Sequence, residues 1–263
     1  MASRPIRAVS AALAATLIAS APAAVREQTG TFAYHGVQQR VSAHLSSVAG
    51  NELDLVQFFT ATGKPVTQYI SVAGAPVHVF LVRDDFRTFA HVHPQVRKNG
   101  HFSVRITLDA NHRYYAYVDS FVPGIGEQTL RFTLQNGAPP HHLDTTLERP
   151  NRIAAAGPYR VELSAARIQA NVPFTLSATV MRAGNVVKPP KPQSFDTVAA
   201  LIHTGSLEYT SVYEGSAGGL WYPGEYDRPQ LRLAPLPSGL YRMWLQLTID
   251  KVQYIVPFTL SVQ

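Results

Sequence analysis

Three histidines, His78, His91 and His93, stand in segment 76–94, read P-V-H-V-F-L-V-R-D-D-F-R-T-F-A-H-V-H-P. His91 and His93 are two apart in an apolar, β-branched run, so on a strand they project to one face. His78 lies on the preceding run, and a tight turn would bring the two runs together as a hairpin. A two-residue loop at Asp84 and Asp85 sets His78 opposite His91, and a four-residue loop, 84–87, sets it opposite His93. Either register gathers all three on one face, whereas a loop of three or five residues sends His78 to the other, because a slip of one residue reverses every side chain. Opposed residues have Cβ atoms about 4.5–5.5 Å apart, and imidazole nitrogens hold an ion at about 2.0–2.1 Å. The chemistry expected is metal ligation.

An all-nitrogen set suits copper(II), zinc or nickel rather than calcium or magnesium. The chain has no cysteine, and its three methionines are Met1, Met181 and Met243, so the soft ligands of a copper(I) carrier are missing. A copper or zinc ion is the expected cofactor. Asp119, in Y-A-Y-V-D-S-F, is a candidate fourth ligand or an acceptor orienting an imidazole N–H; read plainly, it is a strand-end carboxylate. His101 is a candidate flank of the site. Asp84 and Asp85 read as turn formers, His141 and His142 could hold a metal loosely, and His203 stands alone. Trp221, Tyr222 and Tyr226, in a Gly-rich insertion at 215–229, could form a protein-binding loop or pack against the neighbouring domain. A tri-histidine zinc can also activate water, but no general base has an obvious spacing and neither G-x-S-x-G nor H-E-x-x-H occurs. The chain is therefore expected not to be an enzyme.

The elements that must position these residues are strands. Short runs rich in Val, Ile, Thr, Phe and Tyr alternate with Gly, Pro and Asn, and helical periodicity is nearly absent. Strands are expected at 38–46, 52–60, 77–82, 88–93, 101–107, 113–120 and 128–134, then again at 157–165, 173–181, 197–203, 208–213, 230–233, 239–247 and 253–262. Seven strands per unit is the arithmetic of an immunoglobulin-like sandwich. The halves repeat with a period of about 121 residues: R-F-T-L-Q at 131–135 answers to P-F-T-L-S at 257–261. Aligned without gaps from Val77 with Val198, the histidine positions become Ala199, Val212 and Glu214. The second unit thus keeps the framework without the histidines. The fold expected is all-β, two tandem immunoglobulin-like antiparallel β-sandwiches after a signal peptide, with boundaries 1–24 (signal), 30–136 (first sandwich, with the histidines), 137–156 (linker) and 157–263 (degenerate second sandwich).

Arg4 and Arg7, the apolar run 11–19 and the small residues 19–23 form a secretory signal with A-x-A cleavage sites, so the protein is expected to be exported, periplasmic or extracellular. No later stretch approaches the roughly 20 apolar residues of a membrane span. Loss of the leader takes the formal charge from +6 to +4, since Arg4 and Arg7 go and no acid goes with them. The basic residues are interspersed with acids, and no nucleic-acid footprint is expected. Without cysteine there are no disulfides, so the core alone must hold the fold.

The order histidine, F-L-V strand, acidic turn, F-x-H-x-H-P, Gly-started strand, aromatic strand ending near Asp119 and final F-T-L run resembles secreted bacterial immunoglobulin-like domains of the YtkA-like group, often found beside heavy-metal-binding modules. The resemblance covers about 37–135, and the second unit only as a degenerate copy. It implies an exported β-sandwich with a role in metal, chiefly copper, handling. The expected function is a non-catalytic exported metal-binding protein; the alternative is a structural or protein-interaction module without metal.

Overall fold

The computed structural model describes residues 28–29, 31–32, 40–48, 52–138, 145–187, 198–213, 219–220 and 228–263. The signal segment, His141, His142, Trp221, Tyr222 and Tyr226 lie outside them. No helix among the described residues is long and apolar enough to cross a membrane.

The first unit contains β1 (Gln28–Thr29), β2 (Thr31–Phe32), β3 (Val41–Val48), β4 (Glu52–Phe59), β5 (Val77–Arg83), β6 (Phe89–Val92), β7 (Gln95–Val96), β8 (His101–Arg105), β9 (His112–Val122) and β10 (Gly126–Asn136). They form two antiparallel sheets, ordered β1-β3-β4-β8-β7 and β2-β10-β9-β5-β6. The second unit contains β11 (Ile153–Ala156), β12 (Tyr159–Leu163), β13 (Arg167–Ile168), β14 (Phe174–Arg182), β15 (Asn185–Val186), β16 (Val198–His203), β17 (Tyr209–Tyr213), β18 (Gly219–Leu220), β19 (Gln230–Leu233), β20 (Gly239–Ile249) and β21 (Val252–Val262). Its sheets run β11-β12-β14-β19-β18, with β15 also paired to β14, and β13-β21-β20-β16-β17, the same order except that β13 joins β21 in parallel. The chain is a tandem pair of immunoglobulin-like sandwiches, and each of the fourteen expected strands has a counterpart. β11 falls inside the span expected as linker; it pairs with β12, and Asn151 Oδ1 accepts from the Thr259 amide at 2.7 Å, so this stretch is bound to the second unit.

Each unit buries an alternating set between its sheets. In the first, Val77, Val79 and Leu81 of β5 meet Tyr114, Ala116 and Val118 of β9 and Leu45, Leu55 and Phe102 of the opposite sheet. In the second, Ala199 and Leu201 meet Met243, Leu245, Val256 and Phe258. A third cluster joins the units: Phe80, Val82, Phe86 and Tyr117 pack on Val198, Ala200, Ile202, Tyr209 and Trp244. β5 is thus covered on both faces, which is why V-F-L-V reads as an unbroken apolar run.

The β5–β6 turn fixes the register. Val82 pairs with Phe89 and Phe80 with His91, and the Arg83 amide donates to the Thr88 carbonyl at 3.0 Å, leaving the four-residue loop 84–87. Asp85 accepts from Arg83 Nε and Nη2 at 3.0 and 2.7 Å and from the Arg87 amide at 3.0 Å, while Asp84 accepts from His112 Nδ1 and the Arg113 amide. Phe86 takes a left-handed φ of 57°, costly for a bulky side chain, but its ring is buried in the inter-unit cluster.

The second hairpin has the same loop length: Ile202 pairs with Tyr209, and the His203 amide donates to the Glu208 carbonyl. Matching the turns gives an offset of 120 residues, one fewer than the ungapped alignment. Ala199 and Val212, expected at the places of His78 and His91, point into the second core instead. The residues at the equivalent places are Val198 and Ser211, with Tyr213 at that of His93. Because side chains alternate, an error of one residue inverts the comparison.

With this equivalence the interface is reciprocal. Phe89 stacks on Trp244 with centroids 4.9 Å apart, and its counterpart Tyr209 stacks on Tyr117, the counterpart of Trp244, at 4.6 Å. His91 meets Gln246, and Ser211 meets Asp119. In each unit the second partner is the β9 or β20 residue paired with position 78 or 198. Two units contacting through the same patch in exchanged roles is the pattern of a two-fold interface.

Candidate metal centre

His78 is fully buried on β5, His91 is half-buried on the edge strand β6, and His93 is exposed just beyond it. One ring nitrogen from each forms a set whose members all lie within 4.8 Å of one another. His78 Nδ1 is 2.9 Å from His91 Nε2, which is 3.2 Å from His93 Nε2. Nitrogens bound to one tetrahedral ion at about 2.0–2.1 Å sit about 3.3 Å apart, so the His78–His91 and His91–His93 spacings are each close to that of a coordinated pair. The rings of His78 and His93, and of His91 and His93, meet edge-on at 4.7 Å, and Phe80 stacks on His91 at 4.3 Å.

The outer nitrogens decide what the inner ones can do. His78 Nε2 lies 2.8 Å from the Val72 carbonyl, and His91 Nδ1 lies 3.2 Å from Gln246 Oε1. A carbonyl oxygen only accepts, so both outer nitrogens carry the proton and, in a neutral ring, both inner nitrogens carry a lone pair. Burial lowers the His78 pKa and takes that of His91 down to about 3, helped by the neighbouring imidazoles. Neutral rings are therefore the stable form at neutral pH. Two lone pairs 2.9 Å apart repel unless a cation lies between them. Val72 and Gln246 do what the outer hydrogen-bond partners of metal-bound histidines do: they fix tautomer and ring orientation.

Asp119 does not belong to the converging set. Fully buried, it accepts from Thr129 Oγ1 at 2.6 Å on one oxygen and from the Tyr209 hydroxyl and Ser211 Oγ at 2.7 and 2.8 Å on the other. The carboxylate expected as a ligand or imidazole acceptor thus anchors the inter-unit contact. Beside it, Glu127 has its pKa pushed up to about 8 by burial and by the Asp119 charge. His101 is also elsewhere: it sits on β8 in the other sheet, its Nδ1 2.8 Å from Asp54 Oδ2. It is not one of the three residues whose nitrogens converge. His203 is held by its own turn, its Nδ1 accepting from the Ser206 amide at 2.9 Å. Gln246 gave no signal in the sequence, because its approach to His91 depends on how the two units dock.

A family model described as a domain of unknown function (DUF8832) matches residues 33–138, a span that contains all three histidines and ends before the second unit. No curated protein matches the chain. Among solved structures, a segment of two fibronectin type-III domains from chicken tenascin is similar at 12% identity and a TM-score of 0.25, covering 84% of this chain and 97% of that one. A chimeric titin Z1Z2-Z1Z2 tandem carrying a fibronectin GRGDS peptide is similar at 12% identity and a TM-score of 0.23, covering 90% and 100%. A structure concerning the host cell surface retention of a 1.5-MDa bacterial ice-binding adhesin is similar at 13% identity and a TM-score of 0.22, covering 81% and 56%.

Proposed function

We propose that this chain is an exported, non-catalytic metal-binding protein that holds copper(II) or zinc on His78, His91 and His93. The observation that carries the reading is the contact between His78 Nδ1 and His91 Nε2, 2.9 Å apart, with both outer N–H groups committed to carbonyl oxygens. A cation relieves the repulsion, and imidazole nitrogen selects borderline transition metals. His93, on the exposed side, is the ligand through which an ion enters and leaves. Export is supported by Arg4, Arg7 and the apolar run that follows.

The test is calorimetric titration of chelator-treated protein with zinc and with copper(II). A 1:1 complex that disappears in His93→Ala supports the proposal. No binding by the intact protein overturns it and leaves an interaction module without metal. Metal content and the N-terminal sequence of protein isolated from its native compartment test occupancy and export together.

A further inference from the structure

The side chain of Gln246 is nearly fully buried on β20 of the second unit, 155 positions along the chain from His91, and its Oε1 lies 3.2 Å from His91 Nδ1. The Val72 carbonyl that holds His78 belongs to the first unit; the acceptor that holds His91 does not. Without one, the His91 ring is free to carry its proton on either nitrogen, and the tautomer protonated on Nε2 would aim an N–H at the place where the inner lone pairs converge.

The reciprocal interface identifies what is particular about this position. Gln246 occupies in the second unit the place of Asp119 in the first, each paired across its sheet with position 198 or 78. Asp119 receives Ser211 and Tyr209, whereas Gln246 receives the imidazole. Each unit thus presents an acceptor to its neighbour's edge strand, and only one edge strand carries ring nitrogens.

We propose that Gln246 is a positioning residue for the histidine cluster: the second unit sets the tautomer of His91 and so makes the first unit's site competent for a cation. The inference rests on the metal-binding reading for its consequence, though not for its geometry. It gives the degenerate unit a task in the site despite its lack of histidines, and it makes the site depend on the docked arrangement of the two units.

Long-range nitrogen–proton correlation spectra of the full-length, metal-free protein test it directly. The expected result is His91 protonated on Nδ1 in the wild type and a loss of that preference in Gln246→Leu. Zinc affinity should fall about 10- to 100-fold in Gln246→Leu and return in Gln246→Glu, which restores an acceptor at the same place. A wild-type His91 protonated on Nε2 overturns the proposal without recourse to any variant. So does an unchanged tautomer in Gln246→Leu, or zinc affinity within twofold of a wild type that binds. If the tautomer results hold but no form binds zinc, Gln246 keeps its positioning role and the metal-binding reading fails.

Discussion

The Tyr209 hydroxyl donates to Asp119 Oδ2 at 2.7 Å across the boundary between the units, both residues being almost wholly buried. A buried carboxylate is stable only when its lone pairs are satisfied, and Tyr209 and Ser211, which donate to it here, come from the other unit. Replacing Tyr209 with Phe leaves the ring to stack on Tyr117 and removes only the donor. The variant should lose about 1.5–3 kcal/mol, as for hydrogen bonds to charged groups. Ser211→Ala should cost a comparable amount, and the double variant less than the sum, because the two donors share one oxygen. Urea unfolding at neutral pH measures this, and full additivity would show that the carboxylate is not shared.

The histidines separate into a structural and an accessible member. His78 is fully buried and occupies the Val72 carbonyl, so His78→Ala opens a cavity and removes that partner; the expected loss is about 2 kcal/mol or more in metal-free protein. His93 is exposed, and His93→Ala should stay within about 0.5 kcal/mol of wild type. Both should abolish tight zinc or copper(II) binding. Thermal melts beside metal titrations decide the point: a His78→Ala variant as stable as wild type would contradict the burial that gives this site its neutral rings.

Much of this was legible in the sequence. Alternation placed the strands, but the acidic turn left the loop length open, and it is the observed four-residue loop that sets His78 on the face of His91 and His93. β5 also carried a sign of its second contact, since an unbroken V-F-L-V run is what a strand covered on both faces shows. The contact itself was not legible. Phe80, Tyr117, Tyr209 and Trp244 have the composition of any core, and nothing local distinguishes rings packed within a sandwich from rings packed between two. For the same reason the sequence offered Asp119 as a candidate ligand or a plain strand-end carboxylate and not as an inter-unit anchor: its donors Tyr209 and Ser211 are about 90 positions away. The ungapped comparison of the halves failed by a single residue, which in a strand exchanges the faces.

Two groups give the protein opposite responses to pH. His91 has its pKa lowered to about 3 by burial and its neighbours, against about 6.5 in an unfolded chain. Between these values the unfolded state binds more protons, so this contribution is complete above about pH 6.5 and is lost as pH falls towards 3. Glu127 is raised to about 8, against about 4.3 unfolded. Here the folded state holds more protons, and stability declines as pH rises from about 4.3 through 8. Glu127→Gln should therefore gain on the wild type progressively over that range and show little difference at about pH 4. Denaturant midpoints at several pH values give the measurement, and a constant offset between the two proteins would contradict the assigned shift.

Gln57 poses a separate problem of stability. It lies on β4, fully buried, and among the described residues neither its Oε1 nor its Nε2 has a hydrogen-bond partner. Its neighbours on the inward face, Leu53 and Leu55, belong to the core of the first unit. An unmet buried amide costs about 1–3 kcal/mol, and no function described above uses it. Methionine has a similar length and flexibility and no strong hydrogen-bonding need. Gln57→Met is therefore expected to raise stability by about 1 kcal/mol or more while leaving metal affinity unchanged, since β4 belongs to the sheet opposite the histidine hairpin. Thermal unfolding paired with zinc titration tests both halves, and a lower melting temperature would mean that the amide is satisfied inside the core.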